Sequence, residues 1–365
     1  MLQCNISYQT HMETLHMLKG KTPRERGMTG SKPIALALQG GGAHGAFTWG
    51  VLDKLLEDGR LSIRAITGTS AGAMNAAVLA QGITQNGPDG ARDALEAFWH
   101  ALSIMGQASP IKRSFADMLT GNWSLDASPA YNMLDIMSRI VSPYDINPFD
   151  INPLLDLLSQ TIDFDKVRSC SDIELFVSAT NVRNGKIKVF NRAELTAEIL
   201  MASACLPHLY KSVRIDGEIY WDGGYMGNPP IFPLFYNTSL ADIMIIQINP
   251  IERDEEPMSA REIHNRVNEI SFNSSLLREL RTIDFVTRLI EDGKLDGKQY
   301  THARMHRIEA SNELNPLSAS SKLNTEWEFL CHLRDIGRKS CSDWLDNNYS
   351  QVGKFATLDL RSMFE

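Results

Sequence analysis

The sequence predicts an α/β fold with a mostly parallel central sheet. Three observations carry that expectation. A short apolar run, Ile34 to Gln39, stops in Gly40-Gly41-Gly42, and helical periodicity begins at once. A second run, Leu61 to Thr67, stops in Gly68-Thr69-Ser70-Ala71-Gly72, again followed by a helical pattern. A third, Ile243 to Ile248, returns late in the chain. Short apolar runs bounded by turn residues read as buried strands, and their alternation with helices marks parallel pairing.

The elements follow in order. Phe47, Val51, Leu55 and Leu56 define one face of a helix over Ala43 to Asp58, which Gly59 closes. A second helix, rich in small residues, starts after Ser70. Residues 106–153 differ in character. Pro110, Pro129, Pro143, Pro148 and Pro153 interrupt a stretch carrying Phe115, Met118, Leu119, Trp123, Tyr131 and Met133. This predicts an irregular cap of short helices, either a lid over a site or an insertion with its own packing. Strands are expected at Ile173 to Ala179 and Lys186 to Phe190, and a helix at Glu194 to Ala204. Ser259 and Glu262 form a capping box that opens a long helix. Its apolar face is expected to be Ile263, Val267, Ile270, Leu277, Leu280 and Ile283. His302 to Ile308 reads as a last strand and Lys322 to Asn348 as a last helix. The division expected is a polar tail over 1–31, a main domain over 32–250 and a mainly helical extension over 251–365.

Composition narrows the function classes. A chain of 365 residues with 43% hydrophobic and 22% charged content has the balance of a globular protein. A net charge of −8 and the absence of a long basic run argue against nucleic acid as a partner. The five cysteines include no C-x-x-C pair, so neither a zinc site nor a disulfide framework is suggested, and a reducing compartment fits. The N-terminus lacks the apolar core of a signal peptide, and no apolar run approaches the ~18 residues of a membrane span. Lys19, Lys21, Arg24 and Arg26 read as a solvated tail, with membrane-surface contact as the second reading. The expected location is the cytoplasm, with membrane association left open. A homo-oligomer is also left open.

Gly40, Gly42 and Gly45 fit the dinucleotide pattern G-x-G-x-x-G. That pattern needs an acidic residue at the end of the next strand to hold a ribose. Here that strand ends in Gly68-Thr69-Ser70, and Glu57 and Asp58 fall in the preceding helix. A dinucleotide cofactor is therefore not expected. Gly68 to Gly72 is instead a G-x-S-x-G turn between a strand and a helix, the setting of a nucleophile elbow. The glycines then read as a bare backbone cradle for a transient oxyanion. A serine needs a base. Among nine histidines His208 is the nearest contender, while His100, His264, His302, His306 and His332 sit in helix or strand patterns. Asp222, in Asp222-Gly223-Gly224, is the rival, free to point into a cleft at a strand end. It reads equally well as a turn residue, since Asp before Gly is common in turns.

Together these motifs resemble the patatin-like phospholipase family. Gly40 to Gly45 looks like its oxyanion loop, Gly68 to Gly72 its elbow, Ala202 to Pro207 its A-S-x-x-x-P segment, and Asp222-Gly223-Gly224 its D-G-[GA] motif. The resemblance covers about residues 34–250, and 251–365 is similar to the C-terminal extension of a bacterial subgroup. It implies a three-layer α/β/α sandwich and a lipid acyl hydrolase that forms an acyl-enzyme. It implies Ser70 as nucleophile and Asp222 as base, with Gly40, Gly41 and Gly42 as oxyanion donors. Gly45, Gly68, Gly72, Gly223 and Gly224 would support these motifs. A lipid or acyl-ester substrate is implied, with peripheral membrane contact, and neither metal nor cofactor. The alternatives are a carboxylesterase or thioesterase on the same dyad, or a silent interaction protein. The chain departs from the family at His44, where Arg or Lys is usual.

Overall fold

In a computed structural model of the chain, the residues described are 30–297 and 299–364. The basic cluster at Lys19, Lys21, Arg24 and Arg26 lies outside them, as does almost all of the tail expected over 1–31.

Strand β1 (Lys32–Leu38) is buried from Ile34 onward. A tight turn leads to helix α1 (Gly45–Asp58), closed by Gly59 with φ 69° and its N–H on the Leu55 carbonyl. β2 (Leu61–Gly68) lies parallel to β1. Ser70 joins it to α2 (Ala71–Gln107), which kinks at Asn86 and Gly87. Pro88 follows the kink, and a residue before proline is displaced from helical geometry. Short helices α3 (Phe115–Thr120), α4 (Pro129–Ile140) and α5 (Pro143–Ile146) build the cap, followed by α6 (Pro153–Thr161) and α7 (Phe164–Ser169). The prolines that open α4, α5 and α6 stand in the first turn, where a missing N–H costs nothing.

β3 (Glu174–Asn181) and β4 (Ile187–Asn191) form a hairpin. After α8 (Ala197–Ser203) come β5 (Val213–Ile215) and β6 (Glu218–Asp222), also antiparallel. Helix α9 (Phe232–Asn237) precedes β7 (Asp242–Ile246), and α10 (Ala260–Glu291) precedes β8 (Arg304–Ile308). The chain continues through α11 (Ser311–Leu314) and α12 (Trp327–Asn348). The sheet order is β5-β6-β3-β2-β1-β7-β8, with β4 paired to β3. The β1–β2, β2–β3, β1–β7 and β7–β8 pairs are parallel.

Alternation along β1 divides the core into two. Ile34, Leu36 and Leu38 pack with α1, α2 and α12 on one face. Ala35, Ala37 and Ala65 face the other side, where Leu276, Leu280 and Ile283 of α10 lie. Small residues on that face let a long helix approach the sheet. The result is the three-layer α/β/α sandwich with a mostly parallel sheet that the resemblance implies.

Several expectations need correction. The inward face of α10 carries Glu269, Asn273, Leu276, Leu280 and Ile283, while Ile263, Val267 and Ile270 are exposed. Polar side chains take the inward positions because each has partners. Arg253 and Arg266 bind Glu269 at 2.6 Å and 3.2 Å, and Asn273 donates to the Pro250 carbonyl at 2.8 Å. The last helix begins at Trp327, because Ala319–Leu323 forms a separate 3₁₀ turn. Strand β5, three residues long, was not anticipated, since so short a run has no readable alternation.

Residues 251–365 supply β8, which pairs with β7, and α12, which packs on α1. That helix pair is close enough to exclude side chains. A Cβ at Gly50 would strike the Arg334 main chain, and one at Gly337 the Phe47 carbonyl. Gly50→Ala is expected to lower unfolding free energy by about 1–3 kcal/mol through overpacking, measured by urea denaturation. An unchanged midpoint would mean that the helices separate freely.

Candidate active site

The turn after β2 holds Ser70 at φ 53° and ψ −122°, a conformation that side chains other than glycine rarely take. Such strain costs about 1–3 kcal/mol and must be held by its surroundings. The Ser70 N–H donates to Ser203 Oγ at 2.9 Å. Thr69 Oγ1 donates to the Gly227 carbonyl at 2.7 Å and meets Ser178 Oγ at 2.6 Å. The flanking glycines are steric requirements. A Cβ at Gly68 would lie 2.8 Å from the Ala73 nitrogen, and one at Gly72 would strike the Leu38 carbonyl at the end of β1.

Asp222 arrives from the other side of β3. Gly68 pairs with Val177 on β3, and Asp222 pairs with Ala179 two residues further along. The carboxylate therefore stands at the height of the elbow, two strands across. It is 3% exposed. Its main chain is fixed at both ends, the N–H on the Cys205 carbonyl and the carbonyl on Thr180 Oγ1, each at 2.8 Å. Burial raises its pKa from 3.8 to about 7, opposed by the Gly224 N–H and the Ser70 side chain. Oδ1 accepts the Gly224 N–H at 2.7 Å, so the turn reading is realised and engages one carboxylate oxygen. Gly223 and Gly224 are both pinned, since a Cβ on the first would strike the Ser178 main chain and one on the second the Phe272 ring. The Ser70 side chain stands close enough to the Asp222 carboxyl to act on it as a hydrogen-bond partner, and such bonds often tighten once a substrate is in place.

The glycine loop closes the arrangement, with one correction. The Gly40 N–H is not a free donor, because it donates to Asn228 Oδ1 at 2.7 Å. Among the described residues no partner takes the N–H of Gly41 or Gly42, nor that of Ala71 at the start of α2. Gly40 itself is needed for approach, since its Cβ would lie 2.7 Å from Ser70 Cβ. Gly42 has φ 59°, and a Cβ there would strike the Lys322 carbonyl. Gly45 brings α1 onto α2, where a Cβ would come within 2.6 Å of Ala71 Cβ.

Beneath the loop is a polar frame that the motifs do not reveal. Gln39 Oε1 accepts the N–H groups of Ile248 and Asn249 at 2.9 Å each, and its Nε2 donates to the Asn228 carbonyl at 3.3 Å. Asn249 Nδ2 donates to the Gly40 carbonyl at 2.7 Å. The one sequence signal for this frame is Gln39 itself, a polar residue closing an apolar strand. His44 is buried, with Nε2 2.7 Å from Ser321 Oγ, and burial pulls its pKa down to about 3. It is a neutral packing group at physiological pH. Among the described residues His208 makes no hydrogen bond to Ser70 or Asp222. No three His, Cys, Asp or Glu side chains among them converge as metal ligands, and no described helix is long and apolar enough to cross a membrane.

Residues 36–235 match the patatin-like phospholipase family. Among solved structures, VipD from Legionella pneumophila is similar at 18% identity with a TM-score of 0.39, over 88% of this chain and 68% of that one. ExoU, in its complex with SpcU from the type III secretion system of Pseudomonas aeruginosa, is similar at 16% identity with a TM-score of 0.34, over 88% of this chain and 52% of ExoU. The chain thus spans about two thirds of VipD and about half of ExoU. No curated protein matches it.

Ser203→Ala removes the acceptor of the Ser70 N–H. Leaving that donor unsatisfied is expected to cost about 1–3 kcal/mol, measured by denaturant unfolding. Wild-type stability would show that the elbow is held by other contacts.

Proposed function

The chain belongs to the patatin-like phospholipase family, and on that premise we propose that it hydrolyses acyl esters of lipids through Ser70 and Asp222. Family membership supports a lipid acyl hydrolase in general terms. The observation that carries the finer reading is a serine in a strained strand-to-helix turn facing a buried carboxylate whose pKa is about 7. A base with a pKa near the working pH combines a useful ionised fraction with real proton affinity.

In this reading Ser70 Oγ attacks the ester carbonyl while Asp222 takes its proton. The tetrahedral oxyanion is held by the N–H groups of Gly41 and Gly42, with that of Ala71 as a further donor. One such donor is typically worth about 3 kcal/mol. The C–O bond to the alcohol breaks, and the alcohol leaves with the proton from Asp222. Asp222 then takes a proton from water as it attacks the acyl-serine, and the acid is released with Ser70 restored.

The cap supports a lipid rather than a small soluble ester. It is tied to the rest of the fold at two places. Tyr144 Oη meets Ser212 Oγ at 2.8 Å and Lys211 Nζ donates to the Pro148 carbonyl at 3.2 Å, beyond the segment that holds Ser203. Nearer its start the Leu125 N–H donates to Ser320 Oγ at 2.9 Å, in the turn that abuts Gly42. Along the cap Phe115, Leu119, Ile140 and Phe149 are 73–86% exposed. Exposed apolar side chains this numerous in one segment are the material of an interaction surface.

Labelling by a fluorophosphonate probe is expected at Ser70 and lost in Ser70→Ala; a labelled Ser70→Ala chain would remove the nucleophile. Turnover of p-nitrophenyl esters is expected to fall with protonation of Asp222 as pH drops below about 7. Asp222→Asn is expected to abolish turnover. Its effect on stability has the opposite sign. The folded pKa lies above the unfolded value of 3.8, so the native carboxyl holds its proton more tightly, and stability is lost as pH rises from about 4 to 7. Asp222→Asn escapes that loss, so its melting temperature at pH 8 is expected to exceed that of wild type. Near-wild-type turnover in Asp222→Asn would exclude the dyad.

A further inference from the structure

The 3₁₀ turn Ala319–Leu323 touches the glycine loop at three points. The Lys322 carbonyl lies against the Gly42 α-carbon, Ser321 Oγ holds the His44 ring, and Lys322 Nζ donates to Asn249 Oδ1 at 2.8 Å. Asn249 in turn donates from Nδ2 to the Gly40 carbonyl at 2.7 Å. The Gly40 carbonyl and the Gly41 N–H belong to one peptide group. A continuous chain therefore runs from an ammonium, through a side-chain amide, to a donor of the cradle.

The charge at the head of this chain is otherwise unexplained. Lys322 is largely shielded from solvent, and among the described residues no carboxylate forms an ion pair with it. The acid that acts on it, Glu269, is already bound by Arg253 at 2.6 Å and Arg266 at 3.2 Å. Burying an ammonium without a counter-ion costs free energy that a neutral side chain of similar length would not. His44 does not supply positive charge to the loop, since it is neutral. An oxyanion forming at Gly41 and Gly42 would give the ammonium its missing counter-charge, and hydrogen bonds in series polarise one another.

We infer that Lys322 is a positioning residue for the proposed ester hydrolysis, acting through Asn249 and the Gly40–Gly41 peptide to strengthen the oxyanion cradle. The inference rests on the reading of Ser70 and the glycine loop given above. It makes the segment beyond residue 250 a participant in turnover.

The test compares Lys322→Met, Lys322→Gln and Lys322→Arg with wild type in p-nitrophenyl butyrate hydrolysis, fluorophosphonate labelling and thermal melting. Lys322→Met is expected to lower kcat by about tenfold to a hundredfold, less than loss of a direct donor, with KM within about twofold. Its melting temperature is expected to stay level or rise, because an unpaired charge has been removed. Lys322→Gln can keep the bond to Asn249 without the charge and is expected to be as slow, which preserves the test if the Met variant does not fold. Lys322→Arg is expected to recover most of the rate. Wild-type kcat in the Met or Gln variant, or equal slowing in Gln and Arg, would overturn the inference. A wild-type chain that neither labels nor turns over would instead remove the function on which it rests.

Discussion

Everything at the site depends on one close approach of main chain to main chain, between the turns that end β1 and β2. Gly72 sits against the Leu38 carbonyl, Gly40 against Ser70, and Gly45 against Ala71. At these places a single added methyl would meet atoms that cannot move without separating two parallel strands. The approach sets the distance between the loop that offers N–H groups and the side chain that would react beneath it. It also explains why Ser70 takes a strained conformation: the chain must leave β2 and enter α2 without moving away from β1. The strain is offset locally by hydrogen bonds that the turn makes to Ser178, Ser203 and Gly227, which come from three different parts of the chain.

The electrostatic design is spare. Among the described residues no cation pairs with Asp222, and burial is the main influence on its proton affinity. A paired carboxylate would be more stable and a weaker base. His44, buried against Phe329 and Ser321, is uncharged. Positive charge enters from outside the motifs, on Lys322, and reaches the loop through Asn249. Stability and reactivity are opposed here, and the fold retains groups whose charged forms it does not favour.

The segment after residue 250 is part of this frame. Asn273 of α10 bonds Gln39 beneath the loop, and Glu279 accepts the N–H groups of Ile231 and Phe232 at 2.8 Å each. The described residues from Lys32 onward form one compact unit, with β8 in the same sheet as the site. The polar positions on α10 follow from this role. Periodicity places an apolar stripe along that helix, but the first half of the stripe is exposed because the inward positions hold the loop.

The sequence by itself determined the strands that carry the site, the glycines at each turn, and a G-x-S-x-G serine and an aspartate before two glycines at strand ends, whose pairing as nucleophile and base is what the family resemblance implies. These are local constraints, written in residues that only a few backbone geometries accept. The tertiary structure alone decided which glycine N–H groups remain free, since Gly40 is taken by Asn228, almost two hundred positions away in the chain. It decided the direction in which the proton affinities of His44 and Asp222 move, because burial is a property of the packed whole. It also brought Asn249 and Lys322 to the loop. Their residue types are common and their spacing carries no period, so only the folded sheet makes them neighbours.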